Sequence, residues 1–268
     1  MPLALIHRIC RLASGVPAFL QRPRMLALQA RYAGPIAFVR ARLSPDSYLG
    51  LQLTLGALVL VGFSWLFGGI AEDVVTGDPL TVVDVVVAQW FHSHAAPGLT
   101  RAMLAISQLH SVLAISVAGA LTAAVLAWKR NWPWIVVLVL TLPGGMLVNL
   151  LMKLAFQRAR PSFDHPLLVL TSYSFPSGHV AGATLFYGFL LALLASRSGP
   201  WRHKVIALMA AMLLIALVAL SRMYLGVHYL SDVLAAFAQG AAWLTLCVVA
   251  SRTWFRYRTG IDPLVPRL

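Results

Sequence analysis

The chain is 268 residues long, with 60% apolar residues and only 11% charged residues. An ordinary soluble domain is about 45–50% apolar and roughly 25% charged, so the composition argues against a soluble globule and excludes a disordered chain. The 21 Lys and Arg residues outnumber the 8 Asp and Glu residues, which gives a net charge of +13. Two cysteines, Cys10 and Cys247, are too few for a disulfide scaffold or a four-ligand zinc site.

The first 47 residues form a segment that is rich in arginine and divided by Pro17, Pro23 and Pro35. This mixture of Arg with Leu and Ala predicts short helices that lie at a membrane interface. Arg8 and Arg11 interrupt any early apolar stretch, which argues against a cleaved signal peptide. We therefore expect residues 1–47 to be a cytoplasmic or interfacial segment.

The rest of the chain contains six stretches without Lys, Arg, Asp or Glu. A helix that crosses the bilayer core needs about 20 mostly apolar residues. The six candidates are Ser47–Ala71, Ala102–Trp128, Asn131–Met152, His179–Ser196, Val205–Ser221 and Val233–Ser251. The last three are marginal in length. The sequence thus predicts an all-α, six-helix membrane bundle over residues 48–251, followed by a cytoplasmic tail over residues 252–268.

The basic residues are distributed unequally between the two ends of these spans. Sixteen Lys and Arg residues lie in the N-terminal segment, the second and fourth connections and the C-terminal tail, whereas five lie at the opposite end. The positive-inside rule places the sixteen in the cytoplasm, so both termini are expected there, in a plasma (inner) membrane protein. We interpret the basic excess as topology and contact with anionic lipids rather than as nucleic-acid binding.

Charged side chains near a membrane are usually functional, and those at the outer end concentrate in two connections. Lys153 and Arg160 are seven residues apart, so a third span that continued through both would present them on one helical face until Pro161 ended the helix. Two cations on one face indicate an anion site, and the Arg fork matches phosphate oxygens. We expect Arg158 only to anchor the helix end by snorkelling.

The second part of the pattern is Pro176-Ser177-Gly178-His179, at the predicted start of the fourth span. Ser favours the N-cap position, Gly permits a close backbone approach, and a helix N-terminus attracts phosphate. This turn is predicted to bind the same anion from another side.

The third part is Ser221-Arg222 followed by His228 and Asp232. His228 and Asp232 are four residues apart and would share one helical face, and a carboxylate on one imidazole nitrogen leaves the other nitrogen free to attack. Gly226 is expected to supply the bend that turns Arg222 toward the site.

Together these three motifs resemble the signature of the type 2 phosphatidic acid phosphatase superfamily, which includes lipid phosphate phosphatases and soluble vanadium haloperoxidases. The resemblance covers roughly residues 48–250. It implies that His228 attacks phosphorus and forms a phosphohistidine, that Asp232 holds His228, and that His179 protonates the leaving oxygen and then activates water. It assigns phosphate binding to Lys153, Arg160, Ser177, the Gly178 N–H and Arg222. No metal or other cofactor is required, because cations supply the charge stabilisation that phosphoryl transfer needs.

The predicted activity is therefore hydrolysis of a phosphate monoester or diphosphate on a membrane lipid, at the outer face. Undecaprenyl diphosphate is the first expectation, and phosphatidylglycerol phosphate, phosphatidic acid and lipid A are the alternatives. A lipid phosphotransferase and a transporter are the competing classes of protein. The sequence indicates no oligomeric state.

Three further histidines, His92, His94 and His110, lie outside these motifs. His92 and His94 form a His-x-His pair near several acids, which is a weaker candidate for a metal site. His110 is expected to be a hydrogen-bonded interior residue of the second span.

Overall fold

The computed structural model of the chain describes Tyr32, Gly34 and residues 50–259. The interfacial segment predicted for residues 1–47 therefore lies almost wholly outside the described residues, as does the end of the predicted tail. The chain divides into two compact units, residues 1–55 and 56–268. The first is represented by Tyr32, Gly34 and residues 50–55, and the second contains the helical bundle.

Residues 50–259 form eight α-helices and no strand, which confirms the predicted all-α class. The helices are α1 (Leu51–Thr76), α2 (Pro79–Ser93), α3 (Pro97–Leu109), α4 (Val112–Trp128), α5 (Trp132–Phe156), α6 (Gly178–Ala195), α7 (Trp201–Tyr224) and α8 (Leu230–Thr259).

Five helices, α1 and α5 to α8, are long and apolar enough to cross a membrane, and α3 with α4 makes a sixth span if the bent pair counts as one. The prediction of one continuous helix over Ala102–Trp128 is wrong, because α3 and α4 meet at an angle of 42°. Ser111 lies at the break, where its Oγ accepts a hydrogen bond from the Ala114 N–H at 3.2 Å. This N-cap satisfies a free donor at the start of α4 and so favours a new helix there.

The last two spans are longer than predicted. Helix α7 has 24 residues and α8 has 30. The prediction stopped each span at the first charged residue, but Arg202 and Lys204 lie in the first turns of α7, and Arg222 lies in its last turn. The exposed Arg202 continues its helix because its flexible side chain can extend toward polar surroundings, whereas Arg222 is buried at the other end of α7.

Helix α5 extends beyond the predicted end of the third span at Met152 but does not reach Arg160. It stops at Phe156, and Gln157 adopts the left-handed conformation with φ of 46° while its N–H bonds to the Lys153 carbonyl. This is a common way to close a helix. The expectation that Lys153 and Arg160 share a face of one continuous helix, ended by Pro161, is therefore wrong.

Helix α6 lies at the centre of the bundle, packed against α5, α7 and α8, and half of its residues are buried. Close packing depends on small residues: a Cβ on Gly145 of α5 would come within 2.6 Å of the Leu185 side chain on α6. Helix α1 is mostly exposed, as expected for a helix whose outer face meets lipid. The central position of α6 fixes its N-terminus, where His179 lies, between the ends of its three neighbours.

Helix α2 and the first turn of α3 lie in the connection before Ala102, for which the sequence predicted no element. Each begins with a proline at its first position, where the missing N–H costs nothing and φ already suits a helix. Helix α2 packs against α7 and α8. This packing places Asp84 of α2 beside the start of α8, where the Ser231 N–H donates to it.

Candidate active site

The three sequence motifs converge at one end of the bundle. They lie on the end of α5 and the loop after it, the start of α6, and the turn from α7 to α8. His179, at the start of α6, lies within electrostatic range of Lys153, Arg160, Arg222 and His228. The two predicted catalytic histidines and the three predicted cations are thus brought into one neighbourhood.

Lys153 and Arg160 meet on the backbone of the loop that follows α5. Both donate to the Tyr173 carbonyl oxygen, from Lys153 Nζ at 2.8 Å and from Arg160 Nη2 at 3.0 Å. Lys153 also donates to the Ser174 carbonyl at 3.2 Å, and Arg160 Nε donates to the Ser172 carbonyl at 2.7 Å. The two cations therefore converge through a folded loop rather than through a shared helical face.

Arg160 also defines the tautomer of His228. Its Nη1 lies 3.3 Å from His228 Nε2, and a guanidinium can only donate, so Nε2 is the unprotonated nitrogen. His228 Nδ1 then carries the proton and donates to Asp232 Oδ2 at 3.3 Å. This leaves a lone pair on the nitrogen that faces Arg160, as a nucleophile requires.

The environment of His228 favours the neutral ring. Its burial lowers the pKa to about 4, against the raising influence of Asp232, with Arg160 and Arg222 adding to the decrease. An imidazole that is neutral at ordinary pH keeps its lone pair available for attack.

Two predicted phosphate ligands have buried donors without partners among the described residues. Arg222 is 1% exposed; its Nη1 donates to Ser107 Oγ, but its Nε and Nη2 have no partner, and neither does Ser177 Oγ. The Ser177 N–H donates to the Asp232 carbonyl at 3.1 Å, which ties the start of α6 to α8. Buried donors without partners are costly unless a ligand engages them.

The two glycines at the site differ in what they require. Gly226 has φ of +67°, and a Cβ there would lie 2.9 Å from the Phe163 ring, so both the backbone and the packing favour glycine at this bend. Around Gly178 an added Cβ would make only ordinary contacts, at 3.5 Å to Asn149 Oδ1 and 4.0 Å to Lys153 Cε. The phosphate-binding role of the Gly178 N–H stays a prediction.

Arg158 is the main residue that the sequence analysis misjudged. Instead of snorkelling, it makes two salt bridges of 2.8 Å, from Nη1 to Asp232 Oδ1 and from Nη2 to Asp84 Oδ2. Burial alone would lower the pKa of Arg158. The negative charges of Asp232 and Asp84, and the hydrogen bonds to them, outweigh burial and raise this pKa above its ordinary value. The sequence feature that could have indicated this pairing is Asp84, a lone carboxylate among five valines between Thr81 and Ala88. A charge in such an apolar helix needs a partner of opposite charge.

The rings of His92 and His94 take part in aromatic stacking. His92 stacks on Phe163 with ring centroids 4.1 Å apart, and His94 stacks on Trp90 at 4.6 Å. Within residues 50–259, no group of three His, Cys, Asp or Glu residues is placed to hold a metal ion. His110 bonds to the Ile106 carbonyl and the Tyr187 hydroxyl, both at 2.8 Å, as an interior hydrogen-bonded residue should.

The chain is similar in sequence to known proteins. The PAP2 superfamily pattern matches residues 132–256. Phosphatidylglycerophosphatase B of Bacillus subtilis is 34% identical over 120 residues, which is 44% of this chain and 58% of that protein. A probable lipid phosphate phosphatase beta of Arabidopsis thaliana is 28% identical over 179 residues, covering 59% of this chain and 83% of that protein.

A solved structure extends the similarity to the fold. The crystal structure of the transmembrane PAP2 type phosphatidylglycerolphosphate phosphatase from Bacillus subtilis superposes with a TM-score of 0.62 at 26% identity. The match covers 75% of this chain and 96% of that one. The chain is therefore a multi-pass membrane protein whose residues 132–256 match the PAP2 superfamily and whose fold is similar to that of this transmembrane phosphatase.

Proposed function

We propose that this protein is a membrane phosphatase that hydrolyses a phosphate ester on a lipid through a phosphohistidine intermediate. The observation that carries the proposal is the set of buried, unpartnered donors of Arg222 and Ser177 in the same neighbourhood as a neutral His228. Three cations and a hydroxyl around a neutral nucleophile suit a phosphoryl group, whose negative charge is spread over its oxygens.

In the first step, the lone pair of His228 Nε2 attacks phosphorus in line with the leaving oxygen. The new N–P bond forms as the P–O bond breaks, and protonated His179 gives its proton to the departing alkoxide. Asp232 keeps the hydrogen bond from Nδ1 and so stabilises the positive charge that develops on the His228 ring. Lys153, Arg160 and Arg222 stabilise the negative charge on the phosphoryl oxygens.

In the second step, neutral His179 takes a proton from water while the water oxygen attacks phosphorus. The P–N bond breaks, its electron pair returns to Nε2, and inorganic phosphate leaves. His179 ends this step protonated, ready for the next cycle, so the reaction balances without a cofactor. An alcohol in place of water would make the same chemistry a phosphotransferase.

For the substrate, we propose a lipid phosphate monoester of the phosphatidylglycerol phosphate kind. The Bacillus subtilis relatives carry that activity in their names, and the site includes cations for the phosphate, while the tail would lie in lipid. Hydrolysis of undecaprenyl diphosphate, which the sequence analysis put first, stays a prediction. Phosphatidic acid and lipid A are the other lipids to be tested as substrates, and these four lipids form the substrate panel.

For the location, we propose that the site opens to the outer side of a plasma membrane with both termini in the cytoplasm. The positive-inside distribution of the sixteen basic residues supports this orientation. The strongly basic face is also the one proposed to contact anionic lipids.

The test is release of inorganic phosphate from each panel lipid by purified full-length protein in EDTA without an alcohol acceptor. We expect steady release from at least one lipid by the wild type and by the His94→Asn control, and none by His228→Asn or His179→Asn. Full release by His228→Asn would refute the nucleophile. Strict dependence on a metal ion would refute the cationic mechanism, and a requirement for an alcohol would assign the phosphotransferase.

A further inference from the structure

We propose that Arg158 is a positioning residue that, together with Asp84, holds the Asp232–His228 pair ready for attack. The inference rests on the proposed function, since it assigns a role within that reaction. None of the predicted site roles falls on either residue, and neither Arg158 nor Asp84 contacts His228 directly.

The geometry shows what restrains the Asp232 carboxylate. Its Oδ2 accepts from the Tyr229 N–H at 2.9 Å and from His228 Nδ1 at 3.3 Å, while its Oδ1 accepts from Arg158 Nη1 at 2.8 Å. The contact with His228 is the longest of the three. The orientation of the Asp232 carboxylate is therefore fixed mainly by Arg158 and the Tyr229 backbone. This fixed carboxylate in turn keeps the proton of His228 on Nδ1.

Asp84 extends this restraint to the start of α8. It is fully buried, and its Oδ1 accepts from the Ser231 N–H at 2.8 Å while its Oδ2 accepts from Arg158 Nη2 at 2.8 Å. The Ser231 hydroxyl also donates to Asp84 and accepts from Arg158 at 2.6 Å. A carboxylate of α2 thus caps the first turn of α8, the turn that carries Asp232.

The same arrangement separates the charges of the site. Asp232 is close enough to influence Lys153 and Arg160 electrostatically, so without a partner of its own it would compete with phosphate for those cations. Arg158 supplies that partner and lies over the Tyr229 ring at 4.4 Å, a further restraint on its position. Lys153, Arg160 and Arg222 are then left for the substrate.

The role requires the guanidinium fork and not only a positive charge. Two nitrogens of Arg158 reach two carboxylates on different helices, whereas a lysine ammonium is a single point charge on a flexible stem. A lysine at this position keeps the charge but can hold only one carboxylate in good geometry. Arg158→Lys is therefore the informative variant, and it avoids leaving two buried carboxylates unpaired.

The experiment measures kcat and KM for dioctanoyl phosphatidic acid, or the panel lipid that the wild type hydrolyses, and Ki for inorganic phosphate. For Arg158→Lys we expect kcat to fall ~10–100-fold, the usual effect of losing a group that orients a reactive ligand, with KM and Ki within about 3-fold of wild type. Asp84→Asn should lower kcat less, and the double variant Asp84→Asn/Arg158→Lys should be no worse than Arg158→Lys alone. Arg101→Gln, an exposed position on α3, is the matched control and should leave kcat unchanged.

The outcomes separate the two proposals. If the wild type releases no phosphate from any lipid, the proposed function fails. If the wild type is active and Arg158→Lys keeps its kcat, the positioning role fails while the function stands. A parallel loss of kcat, phosphate affinity and melting temperature in Arg158→Lys would assign Arg158 a purely structural role and also overturn the inference.

Discussion

At the scale of single residues, the proposed chemistry depends on a histidine that is buried without being charged. His228 is 2% exposed and keeps its Nε2 lone pair because Asp232 and Arg160 fix its tautomer from opposite sides. Burial makes the protonated ring costly. The residue is thus neutral in the folded protein at a pH where an exposed histidine would begin to gain a proton.

This difference predicts how stability depends on pH. The folded-state pKa of His228 is about 4 and the ordinary value is 6.5, so between those values the unfolded chain binds more protons and stability rises with pH. The gain is at most about 3 kcal/mol. His228→Asn should therefore show a smaller rise in melting temperature from pH 4.5 to pH 7 than the wild type, measured in detergent. An equal rise in both proteins, with His94→Asn as the control, would show that His228 is not buried as a neutral ring.

The unpartnered donors of Arg222 predict that replacing this residue preserves stability but lowers activity. Its two unpartnered nitrogens carry a desolvation cost of about 1–3 kcal/mol each, which substrate would offset. Arg222→Met should therefore melt no lower than the wild type in phosphate-free buffer while kcat/KM falls at least ~100-fold. Added inorganic phosphate should raise the melting temperature of the wild type only. Stabilisation of the Arg222→Met variant by phosphate would show that Arg222 is not part of the anion site.

At the scale of elements, the N-cap of Ser111 stabilises the start of α4 at the break between α3 and α4. The Ser111 hydroxyl accepts from the Ala114 N–H, and loss of such a cap costs ~1 kcal/mol. Ser111→Ala should lower the melting temperature while kcat per folded molecule stays unchanged, because the residue does not touch the proposed site. Ser116→Ala, an exposed position on α4, should change neither quantity. An unchanged melting temperature in Ser111→Ala would show that the cap does not stabilise the break.

Several elements could be predicted from the sequence because their signals are local. Apolar length located the five spanning helices and the bent pair of α3 and α4, and motif spacing located the residues that meet at the start of α6. The prediction that Lys153 and Arg160 meet along one helical face was wrong. Gln157 ends the helix in a left-handed conformation, and a glutamine in the sequence gives no signal of that conformation.

The Arg158–Asp84 pair could not be predicted in the same way. The two residues are 74 positions apart and belong to no shared motif. Their contact depends on how α2 packs against α8, which local patterns do not specify. The valine-flanked Asp84 indicated that a partner was needed, but several cations at the outer end were candidates for that partner.

At the scale of the whole molecule, the distribution of charges predicts one orientation in the membrane. A green fluorescent protein fused after Leu268 in Escherichia coli should fluoresce, since that end is proposed to be cytoplasmic. An alkaline phosphatase inserted after His165, in the exposed loop between α5 and α6, should be active, because that enzyme folds only outside the cytoplasm. The opposite pair of signals would invert the topology and place the site on the cytoplasmic side.

The measurement that tests the account most directly is chemical trapping of the phosphorylated enzyme. Wild-type protein mixed with a ³²P-labelled lipid phosphate and quenched in alkali should carry label that is stable to alkali and lost in acid, as a phosphoramidate is. Peptide mapping should locate it on His228, and His179→Asn should accumulate label if it can still form the intermediate. Label on another residue, or turnover by the wild type with no labelled protein at any time point, would contradict the account.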